Sequence, residues 1–82
     1  MELKEARYIL AIARQKNISK AAESLFISQP SLSKYLKNLE HQLGVRLFDR
    51  IGSSYFPTYI GERYIHYAEK NRRIRHGMGH GI

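Results

Sequence analysis

The segment that most constrains the fold of this chain is residues 28–44, because it carries signals for both ends of a helix. Ser28 can cap the free N–H groups of a first turn, and Pro30 fits that turn because its missing N–H costs little there. Gly44 can adopt the left-handed conformation that commonly ends a helix. The sequence therefore predicts a helix over residues 29–43.

This predicted helix has two contrasting faces. Leucines recur at helical spacing on the face that should pack on a core, namely Leu32, Leu36, Leu39 and Leu43. The opposite face is polar and basic, with Glu40 on its flank, and it comprises Pro30, Ser33, Lys34, Lys37 and His41. Short hydroxyls near a helix start and lysines farther along suit the base edges and phosphates of a DNA major groove. A solvated surface face explains the same residues.

Size and charge limit the function classes. Eighty-two residues make one small domain without room for an enzyme cleft, and a net charge of +7 favours a polyanionic partner. The chain has no cysteine, so it can form neither a disulfide nor a thiolate metal site, and the expected setting is a reducing cytoplasm. No apolar run approaches the ~20 residues that cross a bilayer. We expect no enzyme activity, no cofactor, no metal and no membrane partner.

The segments before residue 28 complete a helix-turn-helix pattern. Residues 3–16 predict a first helix whose core face comprises Leu3, Ala6, Ile9, Leu10 and Ala13. Tyr8 and Ile12 form a smaller second stripe that can seat a later helix or fill the core. Ser19 is the predicted cap of a second helix over 20–26, which a short turn joins to the third. Such a pair is typical of a DNA reader, although any small helical bundle can contain one.

The segments after residue 44 predict a β-hairpin and a last helix. Apolar and aromatic residues flank Gly52, Ser53 and Ser54, so residues 45–57 should form a short hairpin that can act as a wing. Thr58 is the predicted cap of a helix that runs to residue 75. Residues 76–82 alternate glycine with other residues and predict a flexible tail.

One face of the last helix is too apolar to stay exposed on a monomer. It comprises Ile60, Tyr64, Tyr67, Ala68, Asn71 and Ile74. Its partner is either the stripe of Tyr8 and Ile12 in the same chain or the same helix of a second chain. The second arrangement predicts a homodimer.

The run from Ala21 to Arg50, followed by Pro57, Thr58 and Gly61, closely resembles the DNA-binding domain of LysR-type transcriptional regulators. The matching positions of the run are Ala21, Ala22, Leu25, Ser28, Gln29, Pro30, Ser31, Leu32, Ser33, Lys34, Leu39, Glu40, Leu43, Gly44, Val45, Leu47, Phe48, Asp49 and Arg50. Such a long ordered series is far more specific than one short motif. The resemblance implies a mainly α winged helix-turn-helix domain over 1–57, with three helices and a two-stranded hairpin. A linker helix over 58–75, through which two chains pair, would follow it.

The resemblance also implies which residues contact DNA. The start of the third helix would enter the major groove with Gln29, Pro30, Ser31, Ser33 and Lys34, while Lys37 would contact the backbone. Ser19 and Lys20 match positions that face phosphate, and Arg50 and Ser53 match the wing. Family wings often carry further basic residues at the tip, whereas this one reads Ile51-Gly52-Ser53-Ser54-Tyr55.

The sequence therefore predicts a sequence-specific binder of double-stranded DNA, acting as a homodimer on an interrupted inverted repeat in a bacterial regulator. Family members continue into a large C-terminal domain that binds a small-molecule effector. This sequence lacks that domain, so we expect no small-molecule effector to act on it. Two alternatives stay open: a winged-helix module that binds another protein, and an architectural DNA binder without sequence preference.

Overall fold

The computed structural model describes the backbone of residues 2–81 and the side chains of residues 2–70. Its elements are α1 (Leu3–Gln15), α2 (Ile18–Ser24), α3 (Gln29–Leu43), β1 (Phe48–Ile51), β2 (Ser54–Pro57) and α4 (Tyr59–Gly81). The two strands are antiparallel, with Phe48 opposite Pro57 and Ile51 opposite Ser54. The predicted mainly α winged helix-turn-helix is confirmed.

The core lies where α1, α2 and α3 meet under the hairpin. It comprises Ile9, Ala11, Ile12, Ile18, Ala21, Ala22, Leu32, Leu36, Leu39, Leu47, Phe48 and Tyr55. Most of the predicted leucine face of α3 is therefore buried. Leu3 and Leu43 were predicted wrongly as core residues, because each is 42% exposed. Leu3 is the first residue of α1 and Leu43 is the last residue of α3, and side chains at helix ends are less enclosed than those at the centre.

The ends of α3 agree with the sequence signals. The Ser28 hydroxyl accepts a hydrogen bond from the N–H of Ser31 at 3.2 Å, and Pro30 lies in the first turn. Gly44 has a φ of +72°, and its N–H bonds back to the carbonyl of Glu40 at 2.9 Å. The helix therefore starts and stops where its own residues specify.

The start of α2 differs from the prediction. Asn17, not Ser19, is the cap, because the Asn17 side chain accepts the N–H of Lys20 at 2.8 Å. The helix consequently begins at Ile18 and ends at Ser24, earlier than the predicted 20–26. Asparagine caps helices as well as serine does, and here it lies two residues before the predicted cap.

The turn between α2 and α3 holds a bulky side chain in an unfavourable backbone conformation. Phe26 has a φ of +61° and is 95% exposed. The left-handed region costs a residue other than glycine about 1–2 kcal/mol, and an exposed ring recovers little of that by packing.

We expect the substitution Phe26→Asn to raise the free energy of unfolding by about 0.5–1 kcal/mol, because asparagine tolerates positive φ far better than phenylalanine. Urea denaturation would measure the gain as a shifted midpoint at constant slope. Phe56→Asn is the control, since Phe56 is also exposed but lies in a strand, and it should give no gain. A less stable Phe26→Asn variant would mean that the ring contributes packing.

The hairpin is fastened to α3 by one carboxylate. Oε2 of Glu40 accepts the N–H of Leu47 at 2.6 Å and the N–H of Phe48 at 3.2 Å. On the other side of the hairpin, the N–H of Tyr55 donates to the carbonyl of Lys16, just after α1, at 2.9 Å. The wing is thus held at a fixed position beside α3.

The first turn of α4 is fastened to the same segment. Thr58 donates its N–H to the carbonyl of Leu47 at 3.0 Å and its hydroxyl to the carbonyl of Arg46 at 2.8 Å. The Thr58 hydroxyl also accepts the N–H of Gly61 at 2.9 Å, which agrees with its predicted role as a cap. Residues 46–48 therefore connect α3, the wing and α4.

The body of α4 packs on α1, and its Tyr64 and Ile65 also pack against the main core, which contains Ile12 of the predicted stripe. Its seat is formed by Ala6 and Leu10, which enclose Ala68 with Ile65 beside them. Tyr8 instead packs edge-on against Tyr35 of α3, with ring centroids 4.7 Å apart. Ile12 lies in the main core.

The end of α4 also differs from the prediction. The backbone stays helical through Gly81, where the sequence predicted an end at residue 75 and a tail over 76–82. Continuing an existing helix needs no new nucleus, so even glycine-rich residues can extend it. The side chains of Asn71 and Ile74 lie outside the described residues.

Candidate nucleic-acid interface

The polar face of α3 is open to solvent, as a DNA-reading helix requires. Gln29, Pro30, Ser31, Lys34 and Lys37 are exposed, and Ser33 is half-buried. Packing of the leucine face against the core fixes the rotation of α3 about its axis. The residues predicted to contact bases therefore lie together on the exposed side of one rigid helix.

The start of α2 adjoins the start of α3. The Ser19 hydroxyl donates to Oε1 of Gln29 at 2.7 Å, and Lys20 is exposed next to it. Because Ser19 occupies one acceptor site of Gln29, the amide NH₂ group of Gln29 keeps two donors for acceptors on a base edge. Ser19 was predicted to face phosphate, and the structure places it against Gln29.

A second hydroxyl pair shapes the first turn of α3. The Ser28 hydroxyl donates to Oγ of Ser31 at 2.8 Å while it accepts the Ser31 N–H. The proton of Ser31 is not used in this pair, so Ser31 can still donate to a phosphate or a base.

The wing carries less free charge than its sequence suggests. Nε of Arg50 donates to the carbonyl of Gly52 at 3.1 Å, and the guanidinium lies 5.8 Å from the centroid of the Tyr55 ring. Arg46 forms an ion pair with Asp49 at 3.0 Å. Gly52 and Ser53 form the tip, and Ser54 belongs to β2 rather than to the turn. Arg50 thus lies along its own hairpin, and its remaining N–H groups are the ones available to DNA.

The local charge balance favours a polyanion. No acidic residue occurs between Glu23 and Glu40, so the whole of the turn and most of α3 lack negative charge. The Glu40 carboxylate is occupied by two backbone N–H groups, and Asp49 is paired with Arg46. The exposed lysines of α3, Lys34 and Lys37, therefore face little competition from nearby carboxylates.

One contact that positions α3 was missed from the sequence. Tyr35 packs on Tyr8, and Nζ of Lys4 lies 5.5 Å from the centroid of each ring. Burial raises the pKa of Tyr35, and the carboxylates of Glu5 and Glu2 raise it further, so its hydroxyl stays protonated. The second apolar stripe on the first helix was the available signal, but its partner could not be identified from spacing.

The predicted pairing face of α4 is divided by the structure. Ile60 is 43% exposed and Tyr67 is 58% exposed, so both are accessible to another chain. Tyr64 is half-buried and donates its hydroxyl to the carboxylate of Glu5. Ala68 is fully buried within the chain, so its place in the predicted pairing face is wrong. A groove of about 510 Å³ runs along this face, lined by Glu5, Ile60, Arg63, Tyr64 and Tyr67.

The part of the chain that the structure describes offers neither a metal site nor a membrane-spanning helix. There, no group of three His, Cys, Asp or Glu side chains lies close enough together to hold a metal ion. No helix within those residues has the length and hydropathy needed to span a bilayer.

Known proteins share both the sequence and the geometry. A family model described as bacterial regulatory helix-turn-helix protein, lysR family, matches residues 3–62. A probable RuBisCO transcriptional regulator from Thalassiosira pseudonana is 44% identical over 68 residues, which are 83% of this chain. The match covers only 22% of that relative, so the chain spans a small part of its length.

Two solved structures of DNA complexes superimpose closely on this chain. The crystal structure of the CbnR DNA-binding domain with DNA matches with a TM-score of 0.87 and 29% identity, covering 96% of this chain and 91% of that one. The complex of the BenM DNA-binding domain with the benA site 1 DNA matches with a TM-score of 0.87 and 36% identity, covering 95% and 88%. In each comparison the similarity extends over most of this chain and most of the matched chain.

Proposed function

Because the chain belongs to the LysR family of bacterial regulatory helix-turn-helix proteins, we propose that it binds specific sequences of double-stranded DNA and serves transcriptional regulation. The observation that carries the proposal is the exposed, acid-free start of α3, held on a buried leucine face and flanked by the start of α2. Relatives of nearly the same fold are solved as DNA complexes, which supports the same use here.

In this proposal the contacts divide into base readout and backbone binding. Gln29, Ser33 and Lys34 read base edges in the major groove, while Pro30 and Ser31 approach bases and nearby phosphates. Lys37 and Lys20 contact the backbone, and Ser19 does so when its hydroxyl turns from Gln29 to a phosphate. Arg50 and Ser53 bring the wing to the flanking strand. Base contacts give sequence preference, whereas phosphate contacts give most of the affinity and its dependence on salt.

We further propose that two chains pair through α4, with the exposed Ile60 and Tyr67 and the half-buried Tyr64 in the contact. Asn71 and Ile74, predicted from helical spacing for the same face, complete the proposed contact. Paired helices would place two copies of α3 in major grooves on one side of the duplex, separated by whole turns of ~34 Å. A two-fold dimer recognises an inverted repeat, so the site is an interrupted inverted repeat.

The proposed setting is the bacterial cytoplasm, where the DNA is accessible, and the proposed role is not catalytic. The similarity to transcriptional regulators supports both statements. His41 and His66 are exposed residues of α3 and α4, and an exposed histidine on a polar helix face is ordinary.

Selection of the purified chain on random duplex DNA at near-physiological salt tests the proposal. We expect enrichment of an inverted repeat, because a two-fold dimer with one reading helix per chain requires two related half-sites. Recovery of DNA without an enriched sequence would contradict specific recognition and would indicate an architectural binder. No recovery of DNA would instead favour a module that binds another protein.

A further inference from the structure

One polar contact joins α4 to α1. The Tyr64 hydroxyl donates to the Glu5 carboxylate, and among the described side chains no other hydrogen bond or ion pair connects these two helices. Burial raises the pKa of Tyr64, and the bond to Glu5 raises it further, so the hydroxyl remains a donor at physiological pH. The bond is partly shielded from water, because both residues are half-buried.

The apolar part of the same contact does not define an angle by itself. Ala68 packs on Ala6 and Leu10, with Ile65 beside them. Tyr64 and Ile65 also pack against the main core. Apolar contacts are non-directional, so they set the angle of the helix less sharply than a hydrogen bond does. A hydrogen bond weakens steeply when its angle departs from linearity, so the Tyr64–Glu5 bond resists that tilt.

The start of α4 provides the other fixed point. Thr58 is hydrogen-bonded to the backbone of residues 46 and 47, and Gly61 lies against the backbone of Leu47. A helix held at its first turn is still free to pivot there until a second point is fixed. The packing of Ala68 and the Tyr64–Glu5 bond together supply that second point, and the bond is the directional part of it.

A small change of that direction has a large effect at the far end of the helix. From residue 64 to residue 81 the helix advances ~26 Å, so a tilt of about 7° displaces its end by ~3 Å. One base pair occupies ~3.4 Å of duplex length. A change of a few degrees in the tilt of α4 therefore displaces its end by about the length of one base pair.

From these contacts we propose that Glu5 and Tyr64 are positioning residues that fix the spacing between the two half-sites a dimer can bind. The proposal rests on the proposed function, since spacing has meaning only for a dimer that pairs through α4. Neither residue contacts DNA in this assignment. They act through the angle between the pairing helix and the reading helix.

The test uses the full chain and a set of duplexes that carry the selected half-sites at spacings that differ by single base pairs. The wild-type chain should bind one half-site spacing about tenfold more tightly than spacings one base pair longer or shorter. Binding at any other spacing requires the DNA or the protein to deform, which costs free energy. Tyr64→Phe keeps the ring and removes only the hydroxyl, and it should reduce the preference to less than about threefold. Its affinity for an isolated half-site should stay within about twofold, since the reading helix is untouched.

Control variants show whether the spacing preference depends on the bond between Tyr64 and Glu5. Tyr59→Phe removes a hydroxyl from an exposed residue of the same helix that lies outside the proposed pairing face, and it should leave the spacing preference unchanged. Glu5→Ala should flatten the preference as Tyr64→Phe does, and the double variant should add nothing, because both changes remove one bond. Circular dichroism would establish that each variant is folded.

The outcomes distinguish this inference from the proposed function. A wild-type chain with a sharp spacing preference that Tyr64→Phe retains would overturn the inference and leave the proposed function intact. A wild-type chain that binds single half-sites without any spacing preference would overturn the inference and the proposed pairing through α4, while specific recognition by α3 would stand. Equal broadening by Tyr59→Phe would also overturn the inference, since the loss would not depend on the bond to Glu5.

Discussion

Replacing Gly61 by alanine is expected to destabilise the domain by about 3 kcal/mol or more, the largest effect that we predict for a single methyl group. A Cβ at this position would lie 1.9 Å from the carbonyl oxygen of Leu47 and 2.8 Å from its carbonyl carbon. Both are backbone atoms in the segment that Glu40 and Thr58 hold in place. The start of α4 and residues 46–48 cannot move apart without breaking those hydrogen bonds.

The direction of the stability change on replacing Gly61 by alanine distinguishes a steric clash from a simple gain in helix propensity. In an unconstrained helix interior, glycine to alanine stabilises by ~1 kcal/mol, so helix propensity alone predicts a gain. For a domain of this size a loss of about 3 kcal/mol lowers the melting temperature by roughly 12 °C or more. Thermal unfolding followed by circular dichroism would distinguish the two directions at once.

Gly44→Ala provides the matched control. Gly44 has a φ of +72° and no atom within 4 Å of an added Cβ, so only the left-handed backbone penalty of about 1–2 kcal/mol applies. The loss at Gly61 should therefore exceed the loss at Gly44. If Gly61→Ala were as stable as the wild-type chain, the close approach of α4 to residue 47 would not exist in solution, and the pivot inferred for α4 would lose its anchor.

Local signals explain which parts of the fold could be predicted from the sequence. The ends of α3 depend on Ser28, Pro30 and Gly44, whose conformational preferences act within one or two turns. The cap at Thr58 is of the same kind. At α2 the sequence predicted Ser19 as the cap, whereas in the structure Asn17 caps the helix.

Contacts between distant segments could not be predicted in the same way. Helical spacing identified Tyr8 and Ile12 as a stripe, but spacing carries no information about which element covers it. Tyr8 packs against Tyr35 of α3. Ala68 of α4 packs on Ala6 and Leu10, whose side chains are smaller than that of Tyr8 and allow a closer approach of the two helices. The role of Glu40 was missed for the same reason, because its two partners are backbone groups that have no signature in the sequence.

The exposed residues of the candidate interface were easier to predict than the contacts that position them. An exposed face is the complement of a buried one, so the leucine spacing of α3 also identified Lys34 and Lys37 as accessible. What spacing could not reveal is which polar groups are already engaged. The Ser19 hydroxyl is hydrogen-bonded to Gln29, and the Arg50 guanidinium is hydrogen-bonded to the carbonyl of Gly52. Both pairings depend on three-dimensional contacts.

Substitutions of the two α3 lysines should have different effects on DNA binding. Lys37→Ala is expected to weaken binding to all sequences alike, because it removes a phosphate contact from each half-site. The slope of log K against log salt should then become shallower by ~0.9 per contact, or about 1.8 for a dimer. Lys34→Ala, like Ser33→Ala, should relax the preference at one base position of each half-site, at about 1–3 kcal/mol per half-site.

Titrations of each variant on the selected site and on a random duplex, at several salt concentrations, would measure both effects. Lys70→Ala removes the same charge from an exposed position on α4 and controls for the change in net charge. If all three lysine variants lost affinity equally on both duplexes, net charge alone would account for binding, and the assignment of base readout to α3 would be wrong. A loss confined to the selected site for Lys34→Ala, with a parallel loss on both duplexes for Lys37→Ala, follows only if the start of α3 lies against the bases and its middle against the backbone.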